Sequence, residues 1–264
     1  MALHPDLTAR FAHLHLQLAS GFDTAQRVVL LTDRSVMIEQ KFERHWFDSG
    51  RAFLLCLVVL LASLPRPAVH ADEAKGAERK TIVVLGDSIA AGFGLEPDEA
   101  FPALLQQKIE ASKLPFHVIN AGLSGDTTAG GLRRIDWLLR RKIDVLLIEL
   151  GGNDGLRGIS ATETRKNLEA IIERARKKYP EIKIVLGGMQ MPPNMGEEYT
   201  AEYKKIFPEV AKARKTELIP FVLEGVGGSV ELNQPDRIHP TAAGQKIIAD
   251  NVWKILEPLL RKTE

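Results

Sequence analysis

Beyond residue 80, five short apolar runs alternate with segments that have the periodicity of amphipathic helices. Near-continuous apolar runs of this kind are typical of parallel strands that helices cover on both faces. The alternation therefore predicts a parallel sheet between two helix layers, in one compact α/β domain. The predicted strands are residues 81–85, 117–120, 145–150, 184–187 and 218–222.

Local signals predict three of the helices. Apolar residues recur at helical spacing over residues 132–139, with arginines, Arg134 among them, on the other side. Ser160 and Glu163 fit a capping box at the start of a second helix. A last helix is predicted from about Thr241, because apolar residues line one face of the chain that follows it.

The charge balance argues against a nucleic-acid partner. The chain has 35 Lys+Arg and 34 Asp+Glu residues and a formal net charge of +1, whereas nucleic-acid-binding domains show a clear basic excess. Two basic clusters, residues 140–142 and 174–178, come late in predicted helices, where cations complement the helix dipole. They are interpreted as solvated helix ends.

An uncharged apolar run of thirteen residues, 52–64, precedes the α/β pattern. A bilayer span needs about 20 apolar residues, so this run has the length of a signal-peptide core, and cleavage is predicted after Ala71. A short buried or interfacial helix is the alternative. Export would make the mature protein periplasmic or secreted, with no stable membrane anchor. Because a start at Met37 would give a signal of ordinary size, the predicted organisation is an upstream extension (1–36), a signal peptide (37–71) and a domain (72–264).

Cleavage there would also restrict the available chemistry. The single cysteine, Cys56, would be lost, so the mature chain would have no disulfide and no cysteine metal site. Two of the seven histidines would remain, His117 and His239. His117 has no carboxylate nearby in the sequence and is interpreted as structural.

The first predicted strand runs directly into Gly86, Asp87 and Ser88. Parallel α/β sheets bind ligands at the carboxyl ends of their strands, which is where these residues fall. Gly86 can adopt backbone angles that other residues resist, so the turn can be abrupt. Ser88 then begins a helix with its hydroxyl outward and its N–H unpaired, as a nucleophile with an oxyanion donor requires. The alternative is that Asp87 or Ser88 only caps the helix.

Three further loops carry polar groups at the same edge of the sheet. A small-residue loop, 120–127, follows the second strand, and Asn153 follows the third, where its amide can face a developing negative charge. Plain turn geometry is the alternative for both. Asp236 lies three residues before His239, close enough to accept a hydrogen bond from the imidazole, which is the logic of a catalytic triad.

These segments together resemble the SGNH (GDSL) hydrolase family. Ser88, Gly125, Asn153 and His239 match the four residues that name the family, and Asp236 matches its acid. The stretches ELGGNDGLRG (149–158) and SGDT (124–127) are similar to the branch of bacterial thioesterase I/lysophospholipase and periplasmic arylesterases. The resemblance implies a flavodoxin-like three-layer α/β/α sandwich with a five-stranded parallel sheet, no metal and no cofactor.

The resemblance also implies roles for these residues. Ser88 is expected to attack an acyl carbonyl, His239 to take its proton, and Asp236 to stabilise the imidazolium. The N–H groups of Ser88 and Gly125, with the Asn153 side chain, are expected to form the oxyanion hole. The G-x-S-x-G turn of α/β-hydrolases is absent around Ser88, so that fold is disfavoured.

The expected substrate is a small-molecule acyl or aryl ester or thioester of short-to-medium chain length, with lysophospholipids among the candidates. Leu156 follows the third strand, and Met191 and Pro192 belong to a loop with Met189 and Met195 that either lines an adaptable apolar groove or packs onto the sheet. Leu156, Met191 and Pro192 are the predicted substrate contacts. Two alternatives remain open: a carbohydrate acetyl esterase, and a non-catalytic flavodoxin-like binding domain.

Overall fold

The computed structural model describes residues 79–262, and within that range five parallel strands form one sheet in the order β2-β1-β3-β4-β5. The predicted five-stranded parallel sheet is confirmed. The fifth strand ends at Ile219, earlier than predicted, because the register with β4 breaks there: Gly188 donates to the Ile219 carbonyl, and the next bond, from the Val222 N–H to the Gly188 carbonyl, skips one residue. The strands are β1 (Lys80–Gly86), β2 (Phe116–Gly122), β3 (Val145–Glu149), β4 (Lys183–Gly187) and β5 (Glu217–Ile219).

Helices cover both faces of the sheet. They are α1 (Ser88–Ala91), α2 (Phe101–Ala111), α3 (Thr128–Leu138), α4 (Gly152–Leu156), α5 (Ala161–Lys178), α6 (Glu197–Arg214) and α7 (Ala242–Arg261), with 3₁₀ turns at Pro97–Glu99 and Pro193–Met195. One layer contains α3, α5 and α6, which pack in sequence, and the other pairs α2 with α7. This is the predicted three-layer α/β/α sandwich.

Side-chain caps fix where the long helices begin. The Ser160 hydroxyl accepts the N–H of Glu163 at the start of α5, and Thr241 caps α7 through the N–H of Gly244. Both predicted helix starts are confirmed. Between the layers, every residue of β3 is fully buried, as expected for the central strand of a sheet covered on both faces.

The order of the strands places three loops at one point of the sheet. The chain leaves β1 toward β2 on one side and returns to β3 on the other, which makes the carboxyl end of β1 a topological switch point. Gly86 pairs there with Gly122 of β2 and with Glu149 of β3. The segments that follow these residues carry Ser88, Gly125 and Asn153.

None of the helices in residues 79–262 is long and apolar enough to cross a membrane. The predicted extension (1–36) and signal peptide (37–71) lie outside the described residues.

Candidate active site

Ser88 is the first residue of α1, as predicted, and it is almost fully buried. Asp87 is the N-cap, and its carboxylate accepts the N–H of Ile89. The expectation that Gly86 adopts backbone angles other residues resist is wrong, since its backbone is not in the left-handed region. The position is crowded instead: a Cβ there would lie 2.5 Å from the Ala90 Cβ and 2.6 Å from Glu149 Oε2. Glycine lets the turn that contains Ser88 pack directly against β3.

The loop that contains His239 lies against Ser88, although the two residues are 151 positions apart in the sequence. His239 Nε2 lies 2.9 Å from Ser88 Oγ, and His239 Nδ1 lies 2.6 Å from Asp236 Oδ2. The second oxygen of Asp236 accepts the N–H groups of Ile238 and His239 at 2.9 and 3.0 Å. The hydrogen bond from His239 is the largest cause that lowers the pKa of Asp236, to about 2. The structure thus brings the three predicted triad residues together in hydrogen-bonding order.

Phe93 is a site residue that the sequence did not reveal. Its ring packs on the imidazole of His239, with centroids 4.4 Å apart and planes tilted by 35°. The Gln234 amide donates to the carbonyl oxygen of Phe93 at 2.7 Å, which ties the segment after α1 to the loop that holds His239. The aromatic face restricts the imidazole from one side.

Asn153 contacts the turn that contains Ser88, and Arg157 links it to Gly125. Gly125 has φ of +80°, a conformation that favours glycine. The side-chain amide of Asn153, on α4, donates to Asp87 Oδ2 at 3.1 Å. Arg157 Nη2 donates to the Gly125 carbonyl oxygen at 3.0 Å and lies 3.4 Å from Asn153 Oδ1. Arg157 was not singled out from the sequence.

Two buried carboxyl groups, Asp87 and Glu149, lie next to the turn that contains Ser88. Burial raises the pKa of Asp87 to about 6, against the lowering effect of its hydrogen bonds from Ile89 and Asn153. Burial, and then the charge of Asp87, raises the pKa of Glu149 well above its ordinary value. Glu149 Oε2 accepts the N–H of Asp87 at 3.3 Å, and no residue in the described range hydrogen-bonds its Oε1. The turn that contains Ser88 therefore lies on the buried pair of Asp87 and Glu149.

Arg134 differs from the expectation that it faces solvent with the other arginines of its helix. Its guanidinium reaches back to the carboxyl ends of β1 and β2, where Nη2 bonds the Gly86 carbonyl at 2.9 Å and Nη1 bonds the Ala121 carbonyl at 2.6 Å. Its Nε pairs with Asp126 at 2.7 Å. The helical wheel missed this because α3 starts near the carboxyl end of β2, and the long side chain of Arg134, in the second turn, extends back toward the N-terminus of the helix.

The predicted substrate contacts occupy neighbouring segments. Leu156 ends α4 and is exposed, and Met191 packs against Gly155, where a Cβ would lie 2.0 Å from its sulfur. Pro192 is exposed before the 3₁₀ turn. Met189 is buried in the core, so packing accounts for that methionine. His117, in β2, lies 3.4 Å from the Thr81 hydroxyl, away from the triad, which agrees with its structural interpretation.

No group of three or more His, Cys, Asp or Glu side chains in the described range could hold a metal ion.

Known proteins resemble this chain across the region that contains these residues. The GDSL-like lipase/acylhydrolase family matches residues 84–247. Esterase TesA of Pseudomonas aeruginosa is 43% identical over 185 residues, which cover 70% of this chain and 91% of the relative. Thioesterase 1/protease 1/lysophospholipase L1 of Escherichia coli is 36% identical over 187 residues, which cover 70% of this chain and 88% of the relative.

A solved structure agrees with the sequence relatives. The psychrotrophic esterase EstA from Pseudoalteromonas sp., in a structure inhibited by monoethylphosphonate, has 33% sequence identity and a TM-score of 0.65, and the alignment covers 69% of this chain and 99% of that one. The similarity therefore extends over nearly the whole of that structure.

Proposed function

This chain belongs to the GDSL-like lipase/acylhydrolase family, and on that premise we propose that it is a serine esterase and thioesterase that uses Ser88, His239 and Asp236. The observation that carries the proposal is the hydrogen-bonded series from Ser88 Oγ to His239 Nε2 (2.9 Å) and from His239 Nδ1 to Asp236 (2.6 Å). It supplies a nucleophile, a base and a group that orients the base.

The first half-reaction transfers the acyl group to the enzyme. Ser88 Oγ forms a bond to the acyl carbon as its proton moves to His239 Nε2, and the carbonyl oxygen becomes an oxyanion. The bond from carbon to the leaving oxygen or sulfur then breaks, and His239 returns the proton to the leaving group. In the second half-reaction, water attacks the acyl carbon as His239 takes its proton, the bond from the acyl carbon to Ser88 Oγ then breaks, and His239 returns the proton to Oγ as the carboxylic acid leaves.

Asp236 has the electrostatic properties that this step requires. Its carboxylate accepts three hydrogen bonds, and they lower its pKa to about 2, so that it is ionised at neutral pH. A fixed negative charge on the Nδ1 side holds the tautomer that leaves Nε2 free to accept the Ser88 proton, and it stabilises the imidazolium that forms.

The oxyanion is assigned to the N–H groups of Ser88 and Gly125 and to the side-chain amide of Asn153. Ser88 begins a helix, where backbone N–H groups are free of intrahelical partners. Loss of one such donor costs about 10² to 10³ in kcat.

Apolar groups after β1, β3 and β4 support the proposed substrate class. Leu156, Met191, Pro192 and Phe93 offer apolar surface for an acyl or aryl group of short-to-medium size. The relatives named esterase and thioesterase support ester and thioester substrates over the carbohydrate acetyl ester alternative. The assembled triad disfavours a non-catalytic binding domain.

Export is part of the proposal. The apolar run at residues 52–64 has the length of a signal-peptide core, and cleavage after Ala71 would release the domain to the periplasm or the medium. N-terminal sequencing of the exported protein tests this: a first residue other than Asp72 moves the cleavage site, and retention of residues 1–71 contradicts the proposal.

A fluorophosphonate probe tests the nucleophile. The full chain should lose esterase activity as one probe adds per protein, and mass spectrometry should place the adduct on Ser88. Ser88→Ala should be neither active nor labelled, and His239→Ala should label far more slowly. Labelling of another serine, or full activity in Ser88→Ala, would refute the proposal. A series of p-nitrophenyl and thioester substrates of increasing chain length, with acetylated sugars alongside, then defines the substrate.

A further inference from the structure

The side-chain amide of Asn153 is held at both ends by groups of opposite charge. Its Nδ2 donates to the carboxylate of Asp87 at 3.1 Å, and its Oδ1 lies 3.4 Å from Nη2 of Arg157. A carboxylate accepts hydrogen bonds and a guanidinium only donates them, so the two neighbours permit one orientation of the amide. One Nδ2 hydrogen is bonded to Asp87 in that orientation, and the other remains available to a ligand.

The same nitrogen of Arg157 reaches a second loop. Nη2 donates to the carbonyl oxygen of Gly125 at 3.0 Å. Gly125 follows β2, whereas Asn153 and Arg157 are one turn apart at the two ends of α4, after β3. The two hydrogens of one NH₂ group therefore span the two loops that supply oxyanion donors to the proposed site.

We propose that Arg157 is a positioning residue of the oxyanion hole, which fixes the Asn153 amide and the Gly125 peptide relative to each other. The bond to Oδ1 also polarises the amide, so that the free Nδ2 hydrogen becomes a stronger donor. The Gly125 carbonyl and the Gly125 N–H belong to neighbouring peptide groups that meet at the Gly125 Cα, so holding this oxygen limits the movement of the N–H. This inference rests on the proposed function, because it assigns Arg157 a role in the same reaction.

Three variants separate this role from a structural or substrate-binding one. Arg157→Met removes the donors and keeps an unbranched side chain, Arg157→Lys keeps the charge without the planar fork, and Arg140→Met is a matched control at an exposed arginine in the turn after α3. The kcat for a neutral p-nitrophenyl ester should fall on the order of tenfold in Arg157→Met, with KM within about twofold, because a hydrogen bond to a charged group is lost. Arg157→Lys should recover part of the loss, and Arg140→Met should match the unsubstituted protein.

Inhibition by an alkyl boronic acid, which forms a tetrahedral adduct on the nucleophile, should weaken by the same factor as kcat across the variants. In an Asn153→Ala background, Arg157→Met should cost less than it does alone, because one of its two partners is already absent. A kcat within twofold of the unsubstituted protein overturns the inference, and so does a loss confined to KM or an additive double variant. Arg157 is exposed, so a large fall in the unfolding temperature of both Arg157 variants would assign it to the fold and also overturn the inference.

The proposed function can fail separately from this inference. If the unsubstituted protein hydrolyses no ester or labels at a residue other than Ser88, the proposed function fails. If the unsubstituted protein hydrolyses esters and labels at Ser88, and Arg157→Met has the same kcat as that protein, the inference about Arg157 fails alone.

Discussion

Two aspartates flank the proposed reaction centre, and their surroundings shift their acidity in opposite directions. Asp87 is 2% exposed in the turn between β1 and α1, and burial raises its pKa to about 6. Asp236 lies in an exposed loop, and hydrogen bonds led by that from His239 lower its pKa to about 2. Packing thus holds the turn that contains Ser88, and hydrogen bonds within an exposed loop hold His239.

The opposite shifts give opposite pH dependences of stability. A raised pKa means that Asp87 stabilises the fold fully below its unfolded pKa of about 3.8 and loses that contribution as the pH rises through about 6. A lowered pKa means that Asp236 contributes above its unfolded value and loses that contribution as the pH falls toward 2. Tolerance of a destabilising carboxylate at Asp87 is consistent with a function there, since that carboxylate holds Asn153.

Removal of the charge on Asp236 should have the largest effect. Asp236→Asn should lower kcat/KM by about 10⁴-fold, because the imidazole loses both its preferred tautomer and its counterion. The unfolding temperature should also fall at neutral pH, because the ionised carboxylate contributes to stability, and the fall should be modest because that carboxylate is exposed. Steady-state kinetics with a p-nitrophenyl ester measure the loss, and Glu231→Gln is a matched control in the same exposed region. A loss of tenfold or less would show that hydrogen bonding by the loop does not define the base.

The buried aspartate should control stability through pH. The free energy of unfolding of the unsubstituted protein, minus that of Asp87→Asn, should fall by up to about 3 kcal/mol between pH 4 and pH 7, because ionisation of a desolvated carboxyl is unfavourable. Urea unfolding followed by circular dichroism at several pH values measures it. A difference that does not change with pH would contradict the conclusion that burial raises the pKa of Asp87.

The aromatic contact on the base should have a moderate effect. Phe93→Ala removes the ring that packs on His239, and kcat/KM should fall about fivefold, as expected when a ring contact of about 1 kcal/mol is lost. Trp137→Ala removes a second exposed aromatic ring, on α3, and should leave the kinetics unchanged. An equal effect of the two substitutions would mean that the Phe93 contact does not support the base.

The smallest effect concerns the backbone of the loop. Arg237 has φ of +60°, a conformation that costs a side-chain-bearing residue free energy, so Arg237→Gly should stabilise the protein by about 0.5 kcal/mol and leave kcat intact. Lys215→Gly, at φ of +49° after α6, should stabilise it similarly. Thermal unfolding measures both. If Arg237→Gly lowers kcat tenfold while Lys215→Gly has no effect, the arginine side chain is needed to shape the loop.

The sequence predicted the sheet and the Asp236–His239 pair from local patterns, whereas the assignment of Ser88 to the same triad, 151 residues away, came from the resemblance to the SGNH family. Apolar runs mark buried strands wherever they occur, and Asp236 and His239 are close along the chain. Phe93, Arg134 and Glu149 were missed as site residues because their roles come from contacts between segments that are distant in sequence. Arg134 and the Gly86 carbonyl, for example, are 48 residues apart. The crowding at Gly86 was hidden for the same reason, since it is caused by a carboxylate on another strand.

A crystal structure of the protein after reaction with an alkyl phosphonate tests the central claim most directly. The account predicts phosphorus bonded to Ser88 Oγ, with one phosphonyl oxygen within about 3.2 Å of the Ser88 and Gly125 nitrogens and of Asn153 Nδ2. It further predicts Asn153 Oδ1 on Arg157, and His239 Nε2 next to the ester oxygen. An adduct on a different residue, or a phosphonyl oxygen that faces solvent with none of these donors in reach, would contradict it.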